Sequence, residues 1–122
     1  MLILDCHSFS DRPYKCDINN GWNRPDICIG TDPQYTPKEL INLTVKYFEA
    51  LGYSVKLNSP FSGTIVPSGF SEEKLYSIMI ELNRKLYLQW EGETVKKTEH
   101  FAVLKSQIAA FKLELEKYME TE

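Results

Sequence analysis

The sequence predicts an α/β fold, with a mostly parallel or mixed sheet and flanking helices. Short apolar runs at residues 2–4 and 27–29 have the length of buried strands. Residues 53–57 alternate apolar and polar side chains, as a half-buried strand does. Apolar residues recur at helical spacing over 36–51 and again over 99–119. Strands and helices that alternate along a chain in this way predict a sheet covered by helices.

The first helix has clear signals at both ends. Thr36 suits the N-cap, Pro37 suits the first helical position, and Glu39 would complete a capping box. Gly52 suits the C-terminal stop. Because a predicted strand lies on either side of it, this helix indicates a parallel βαβ unit.

The remaining segments complete a single predicted domain. Residues 75–82 form a third strong strand candidate, and the helix over 99–119 is expected to pack on the sheet. Residues 9–24 and 58–69 hold prolines and glycines among polar residues and are expected to be loops. No repeat, low-complexity segment or linker divides the sequence, so residues 1–122 are expected to form one domain.

Composition and charge disfavour several classes of protein. Of the 122 residues, 43% are hydrophobic and 25% are charged, which is ordinary for a globular domain. A net charge of -3 disfavours a nucleic-acid partner, because no basic surface is forced on the protein. The apolar runs are too short for a membrane span or a signal peptide. Cys6, Cys16 and Cys28 form no Cys-x-x-Cys pair, so we expect reduced thiols in a cytoplasmic protein.

Polar side chains follow three of the predicted strands. In open α/β sheets, sites form beyond the carboxyl ends of the strands. If the three strands run parallel, these polar side chains converge on one edge of the sheet. They are Asp5 and His7 after the first strand, Asn58 after the middle strand, and Glu81, Asn83 and Arg84 at the end of the third.

His7 is the candidate metal ligand. Its imidazole is a ligand type that zinc favours in hydrolytic sites. Asp5 lies two residues earlier on a strand-like path, so it points to the same side and could orient the imidazole. The alternative is a structural histidine held by hydrogen bonds, since one histidine is not a metal site. The other histidine, His100, is expected at the surface near the start of the last helix.

Glu81 is the candidate general base. It follows the apolar residues 78–80, and a carboxylate at such a strand end is expected to be partly desolvated, with its pKa raised toward the range of a base. The alternative is a salt bridge to Arg84 or Lys85. Arg84 could instead hold a substrate carboxylate in a two-pronged hydrogen bond. A Cys6 nucleophile paired with the adjacent histidine is disfavoured, because neighbours on a strand point to opposite faces.

Five segments together resemble the latter part of the N-formylglutamate amidohydrolase family. The resemblance covers roughly residues 1 to 90, and its specificity comes from the order and spacing of the five. They are Asp5-Cys6-His7-Ser8, Pro25-Asp26-Ile27-Cys28-Ile29-Gly30-Thr31, Leu51-Gly52-Tyr53-Ser54-Val55, Asn58-Ser59-Pro60-Phe61-Ser62-Gly63 and Ile80-Glu81-Leu82-Asn83-Arg84.

The resemblance implies a fold similar to the zinc carboxypeptidases (phosphorylase/hydrolase-like), of which this chain holds the C-terminal part. It implies that His7 is the last of three zinc ligands and that Glu81 activates the zinc-bound water. The implied reaction is zinc-dependent hydrolysis of an N-acyl amide, such as N-formyl-L-glutamate to formate and glutamate. The residues then expected on the substrate side are Asn58, Asn83 and Arg84.

The chain departs from the family pattern in two places. The first two zinc ligands of the family, a His and an acidic residue, lie upstream of the segment that begins at Asp5. They have no counterpart in this chain, and Thr64 stands where many members have a second glycine. Because a catalytic zinc needs three protein ligands, we expect that the chain alone is not competent.

Three hypotheses follow from this departure. The chain is a truncated or split hydrolase completed by an N-terminal partner chain, or a small hydrolase whose site forms across a homo-oligomer. The third hypothesis is a non-enzymatic remnant that acts as an oligomerisation or interaction module. An in-frame segment upstream of Met1 that encodes the two missing ligands would favour the first.

Overall fold

The computed structural model describes residues 1–14, 23–69 and 74–122. Two compact units are present, Met1–Asn83 and Arg84–Glu122, and the expectation of one domain stays a prediction. In these described segments, no helix is both long enough and apolar enough to cross a membrane. Cys16 and most of the predicted loop over 9–24 lie outside the described residues.

A four-stranded sheet with one helix forms the first unit. Its order is β1-β4-β2-β3; β1 pairs with β4 in parallel, β2 pairs with β3 in parallel, and β2 pairs with β4 antiparallel. The predicted α/β class with a mixed sheet is confirmed, and so is the parallel βαβ unit. The elements are β1 (Leu2–Phe9), β2 (Ile27–Gly30), α1 (Lys38–Ala50), β3 (Val55–Leu57) and β4 (Tyr76–Asn83).

The mixed pairing changes where the polar strand ends lie. The expected convergence of three groups required three parallel strands. Because β3 is parallel to β2, and β2 is antiparallel to β4, β3 runs opposite to β1 and β4. Asn58 therefore follows β3 toward the end of the sheet where β4 begins. The expected convergence of Asn58 with Glu81 and Asn83 at one sheet edge was wrong.

Strand β1 is longer than its apolar run suggested. It continues through Asp5 and His7 to Phe9, because all eight of its residues pair with β4, from Leu2 opposite Tyr76 to Phe9 opposite Asn83. The two candidate residues of β1 thus lie within a paired strand, where backbone hydrogen bonds fix their positions.

Helix α1 begins at Lys38 with Pro37 as its N-cap and no side-chain capping bond, so the predicted Thr36 capping box was wrong. The hydroxyl of Thr36 instead donates to the Ser77 carbonyl at 2.6 Å. This bond ties the start of the helix to β4. The core of the unit is apolar, with fully buried side chains from β2, β4 and α1 that include Ile27, Ile29, Leu40, Phe48 and Ile78.

The second unit holds a short 3-10 helix, Arg84–Leu86, then the antiparallel pair β5 (Leu88–Glu91) and β6 (Thr94–Lys97), and finally α2 (His100–Glu120). The long terminal helix is confirmed, whereas the hairpin had not been predicted. Its strands have only four residues each and carry mostly exposed side chains, so they present little apolar periodicity.

Candidate active-site face of the sheet

One face of the sheet brings together three of the candidate side chains, those of Asp5, His7 and Glu81. His7 on β1 and Cys28 on β2 are both register partners of Glu81 on β4. Register partners point to the same face, and neighbouring strands lie about 4.8 Å apart. We call this side of the sheet, which carries Asp5, His7, Cys28 and Glu81, the site face. Glu81 is 7% exposed, so its carboxylate is largely shielded from water.

Asp5 and His7 point to the same side of β1, as their spacing predicted, and their side chains are hydrogen-bonded. The His7 Nε2 atom lies 2.7 Å from Oδ1 of Asp5. A carboxylate can only accept, so Nε2 carries the proton, and in the neutral ring the lone pair is on Nδ1. The side chain of His7 is 48% exposed, whereas that of Asp5 is 10% exposed. The imidazole is therefore exposed to solvent while one of its nitrogens is hydrogen-bonded to a largely buried carboxylate. This arrangement is typical of metal-binding histidines.

Residues 58–66, which we call the covering loop, contact the site face at several points. The Ile65 N–H donates to Oδ2 of Asp5 at 3.2 Å, and the Cys28 thiol donates to the Phe61 carbonyl at 3.2 Å. The Phe61 ring lies 5.6 Å from that of Phe9, centroid to centroid. A Cβ atom on Gly30 would overlap the Gly63 carbonyl oxygen, so only glycine allows this close approach.

Asn58 sets the start of the covering loop. It has a left-handed backbone with φ of 55°, which Asn tolerates better than most residues. Its Oδ1 accepts from the N–H groups of Thr31 at 2.9 Å and Gly63 at 3.3 Å. Its Nδ2 donates to the Thr31 hydroxyl at 2.8 Å. The side chain thus has a structural task, and its role toward substrate stays a prediction.

Asn83 is fully buried at the end of β4. Its Nδ2 donates to Oδ1 of Asp11 at 3.0 Å and to the Pro25 carbonyl at 3.1 Å. These bonds join the end of the sheet to two loops, and a role toward substrate stays a prediction. Arg84 begins the 3-10 helix of the second unit, so its role is likewise untested.

The two described thiols are poor nucleophiles. Burial is the largest effect on the pKa of Cys28 and raises it. Backbone hydrogen bonding from the covering loop lowers this pKa in part, and the nearby negative charge of Glu81 raises it. Desolvation also raises the pKa of Cys6, with a second contribution from Asp5. Both thiols are therefore held in the protonated form, which agrees with the argument against a cysteine nucleophile.

The described part of the site face holds one candidate zinc ligand rather than a zinc site. Nδ1 of His7, backed by Asp5, suits one ligand position. Within residues 1–14, 23–69 and 74–122, no group of three His, Cys, Asp or Glu side chains could hold a metal. The described residues therefore do not fit a catalytic zinc by themselves, because such a zinc has three protein ligands.

Sequence reasoning missed several residues that build this face. Arg24 is buried, with its guanidinium 5.8 Å from the Phe9 ring centroid and 5.2 Å from that of Phe61. Ser77 and Gly30 secure the covering loop from β4 and β2. A signal was present in β4, where Ser77, Glu81 and Asn83 occupy alternate positions and so share a face. The apolar run at 78–80 obscured that pattern.

Comparison with known proteins gives a family match. The model of the N-formylglutamate amidohydrolase family matches residues 1–88, which is more than half of the chain. The chain belongs to this family. The resemblance drawn from the five short segments is thus confirmed. No curated protein matches the chain.

A solved structure shares the fold. The crystal structure of N-formylglutamate amidohydrolase from Ralstonia eutropha JMP134 has a TM-score of 0.78 and 24% sequence identity. The likeness covers 98% of this chain and 45% of that protein. The chain therefore has an amidohydrolase-type α/β fold and spans less than half the length of that relative.

Proposed function

We propose that this chain carries part of the active site of an amidohydrolase that cleaves N-formyl-L-glutamate to formate and glutamate. The observation that carries the proposal is the pairing of His7 with Glu81 on the site face. Family membership supports the reaction class. An exposed imidazole beside a shielded carboxylate is suited to hydrolysis, since one can hold a metal and the other can move a proton.

Glu81 has the central task in this reaction. Its carboxylate takes a proton from the attacking water as the water oxygen bonds to the formyl carbon. It then returns that proton to the amine nitrogen as the C–N bond breaks. Because Glu81 is 7% exposed, few bulk water molecules compete for its oxygens. Positioned proton transfer of this kind typically accelerates a reaction by about a hundredfold or more.

Zinc dependence is part of the proposal. His7 would supply one ligand through Nδ1, with Asp5 holding the opposite ring nitrogen. Zinc in such a site polarises a carbonyl and lowers the pKa of bound water. The other ligands would come from outside the described residues, either from an N-terminal partner chain or from a second copy. β1 is an edge strand of the described sheet, so either could add a strand beside it.

The experiment is a complementation assay. The chain is incubated with zinc and N-formyl-L-glutamate, alone and together with the N-terminal part of the Ralstonia eutropha enzyme, and formate is measured. We expect hydrolysis in the mixture, and we expect Glu81→Gln in this chain to abolish it. Hydrolysis by this chain alone would indicate that a second copy supplies the missing ligands. Stable association of the two polypeptides without hydrolysis would contradict the proposal and favour a non-enzymatic interaction module.

A further inference from the structure

The hydroxyl groups of Thr64, in the covering loop, and Ser77, at the start of β4, form a hydrogen-bonded pair. Ser77 is fully buried on β4 and its Oγ donates to the Ile65 carbonyl at 2.6 Å. Its oxygen lies 2.8 Å from the Thr64 hydroxyl. Because Ser77 has one hydroxyl hydrogen and gives it to Ile65, Thr64 is the donor of the pair.

The Ile65 backbone connects this pair to the candidate metal ligand. Its carbonyl is held by Ser77, while its N–H donates to Oδ2 of Asp5 at 3.2 Å. Oδ1 of the same carboxylate accepts from Nε2 of His7 at 2.7 Å. A continuous series of hydrogen bonds therefore runs from Thr64 through Ser77, Ile65 and Asp5 to His7.

Both oxygens of Asp5 are engaged by this series, one by the covering loop and one by the imidazole. Rotation of the carboxylate would break the bond to Ile65, so the loop fixes the plane in which Asp5 can accept from His7. The ring of His7 is 48% exposed and has little packing to hold it. Its orientation thus depends on the carboxylate, and the carboxylate depends on the loop.

We propose that Ser77 and Thr64 are positioning residues that hold the His7 imidazole in its observed orientation through Ile65 and Asp5. This inference rests on the proposed function, since the orientation of the imidazole affects catalysis only if His7 takes part in the reaction. It gives Thr64 a role particular to this sequence, because a glycine at that position would have no hydroxyl to donate.

The test is an NMR measurement on the chain labelled with 15N-histidine, without metal or substrate. The readout is the exchange rate of the His7 Hε2 proton with water, and His100 is an internal reference. A hydrogen-bonded proton exchanges slowly. We expect Thr64→Val to speed the exchange by about tenfold, the effect of losing one hydrogen bond. Ser77→Ala removes two hydrogen bonds and should speed it at least as much. Thr64→Ser keeps the hydroxyl and should restore the parent rate.

Ser106→Ala is the matched control, because Ser106 is an exposed hydroxyl that donates within α2. It should leave the His7 proton unchanged. If Ser77→Ala does not fold, Thr64→Val decides the question at a half-exposed position that tolerates an isosteric change. Parent-like exchange in a folded Thr64→Val chain would overturn the proposal. A chain that shows this coupling but hydrolyses nothing in the complementation assay would contradict only the proposed function.

Discussion

His7 of β1 and Glu81 of β4 are register partners on parallel strands, so an imidazole and a shielded carboxylate share one face of the sheet. Backbone pairing fixes their separation without help from either side chain. Asp5, on the same strand as His7, is hydrogen-bonded to the imidazole. Cys28 lies beside Glu81 on β2, the antiparallel neighbour of β4.

Gly30→Ala should displace the covering loop. A methyl group there overlaps the Gly63 carbonyl and the Met79 side chain, so we expect a loss of about 1–3 kcal/mol in the free energy of unfolding. Gly92→Asn is the control, since Gly92 has a φ of 62° with open space around it and Asn tolerates that backbone. Denaturant unfolding measures both. Equal stability of Gly30→Ala and the parent would show that the loop does not lie against β2.

Alkaline pH should destabilise the chain partly through Cys28. The pKa of its buried thiol is raised above the ordinary value of 9.0 in the folded state. The unfolded chain therefore loses this proton first, and the stability contribution, full below pH 9.0, falls as pH rises through the folded pKa. The slope for one group is at most about 1.4 kcal/mol per pH unit. Unfolding curves at neutral pH and about pH 10 should differ less for Cys28→Ala than for the parent.

A matched comparison for that experiment is Cys6→Ala, because Cys6 is an exposed thiol whose pKa is also raised. Solvent screens an exposed group, so its substitution should change the pH dependence less than Cys28→Ala does. The same alkaline loss in the parent and in Cys28→Ala would refute the assigned burial of the thiol.

Zinc should bind the isolated chain weakly. His7 supplies one ligand, and a single imidazole cannot replace the three protein ligands of a catalytic site. Isothermal titration with zinc should show no stoichiometric tight site in either the parent or His7→Ala. A submicromolar site that disappears in His7→Ala would contradict this and indicate a site shared between two copies.

Arg84→Lys should weaken substrate binding in the form that hydrolyses N-formylglutamate. The substitution keeps the charge but loses the planar fork that grips a carboxylate. We expect KM to rise about tenfold, the effect of one lost charged hydrogen bond, with kcat near that of the parent. Lys85→Arg, on the adjacent residue, is the control. A KM unchanged by Arg84→Lys would show that Arg84 does not bind the substrate carboxylate.

The sequence predicted much of the fold, because its helices and strands carry strong periodic signals. The βαβ unit was recognised from apolar spacing together with the turn and stop signals at the helix ends, and α2 from its spacing. The separation of Asp5 and His7 by two residues predicted that they point to the same side. Strand direction was not predictable in the same way, because no local sequence pattern determines that β3 runs antiparallel to β4. That non-local choice is what separates Asn58 from Glu81.

The covering loop was the part of the site that sequence reasoning could least anticipate. Its contacts join residues far apart in the chain, such as Ile65 with Asp5 and Phe61 with Cys28. On the loop side they involve backbone N–H and C=O groups, which are present in almost every residue type and so leave little trace in the sequence. At Gly30 the contact does restrict the residue type, because a side chain there would overlap the Gly63 carbonyl oxygen. That restriction is understood only once the loop is seen to pack against β2.

The most direct test of the account pairs metal analysis with steady-state kinetics on N-formylglutamate, for the parent, His7→Ala and Glu81→Gln. It uses the form that hydrolyses the substrate, whether completed by a partner chain or as an oligomer. His7→Ala removes a ligand, so zinc content and activity should fall together. Glu81→Gln keeps the shape and removes the base, so zinc content should stay near the parent value while turnover falls about a hundredfold or more. Full turnover of zinc-loaded Glu81→Gln would contradict the role assigned to Glu81.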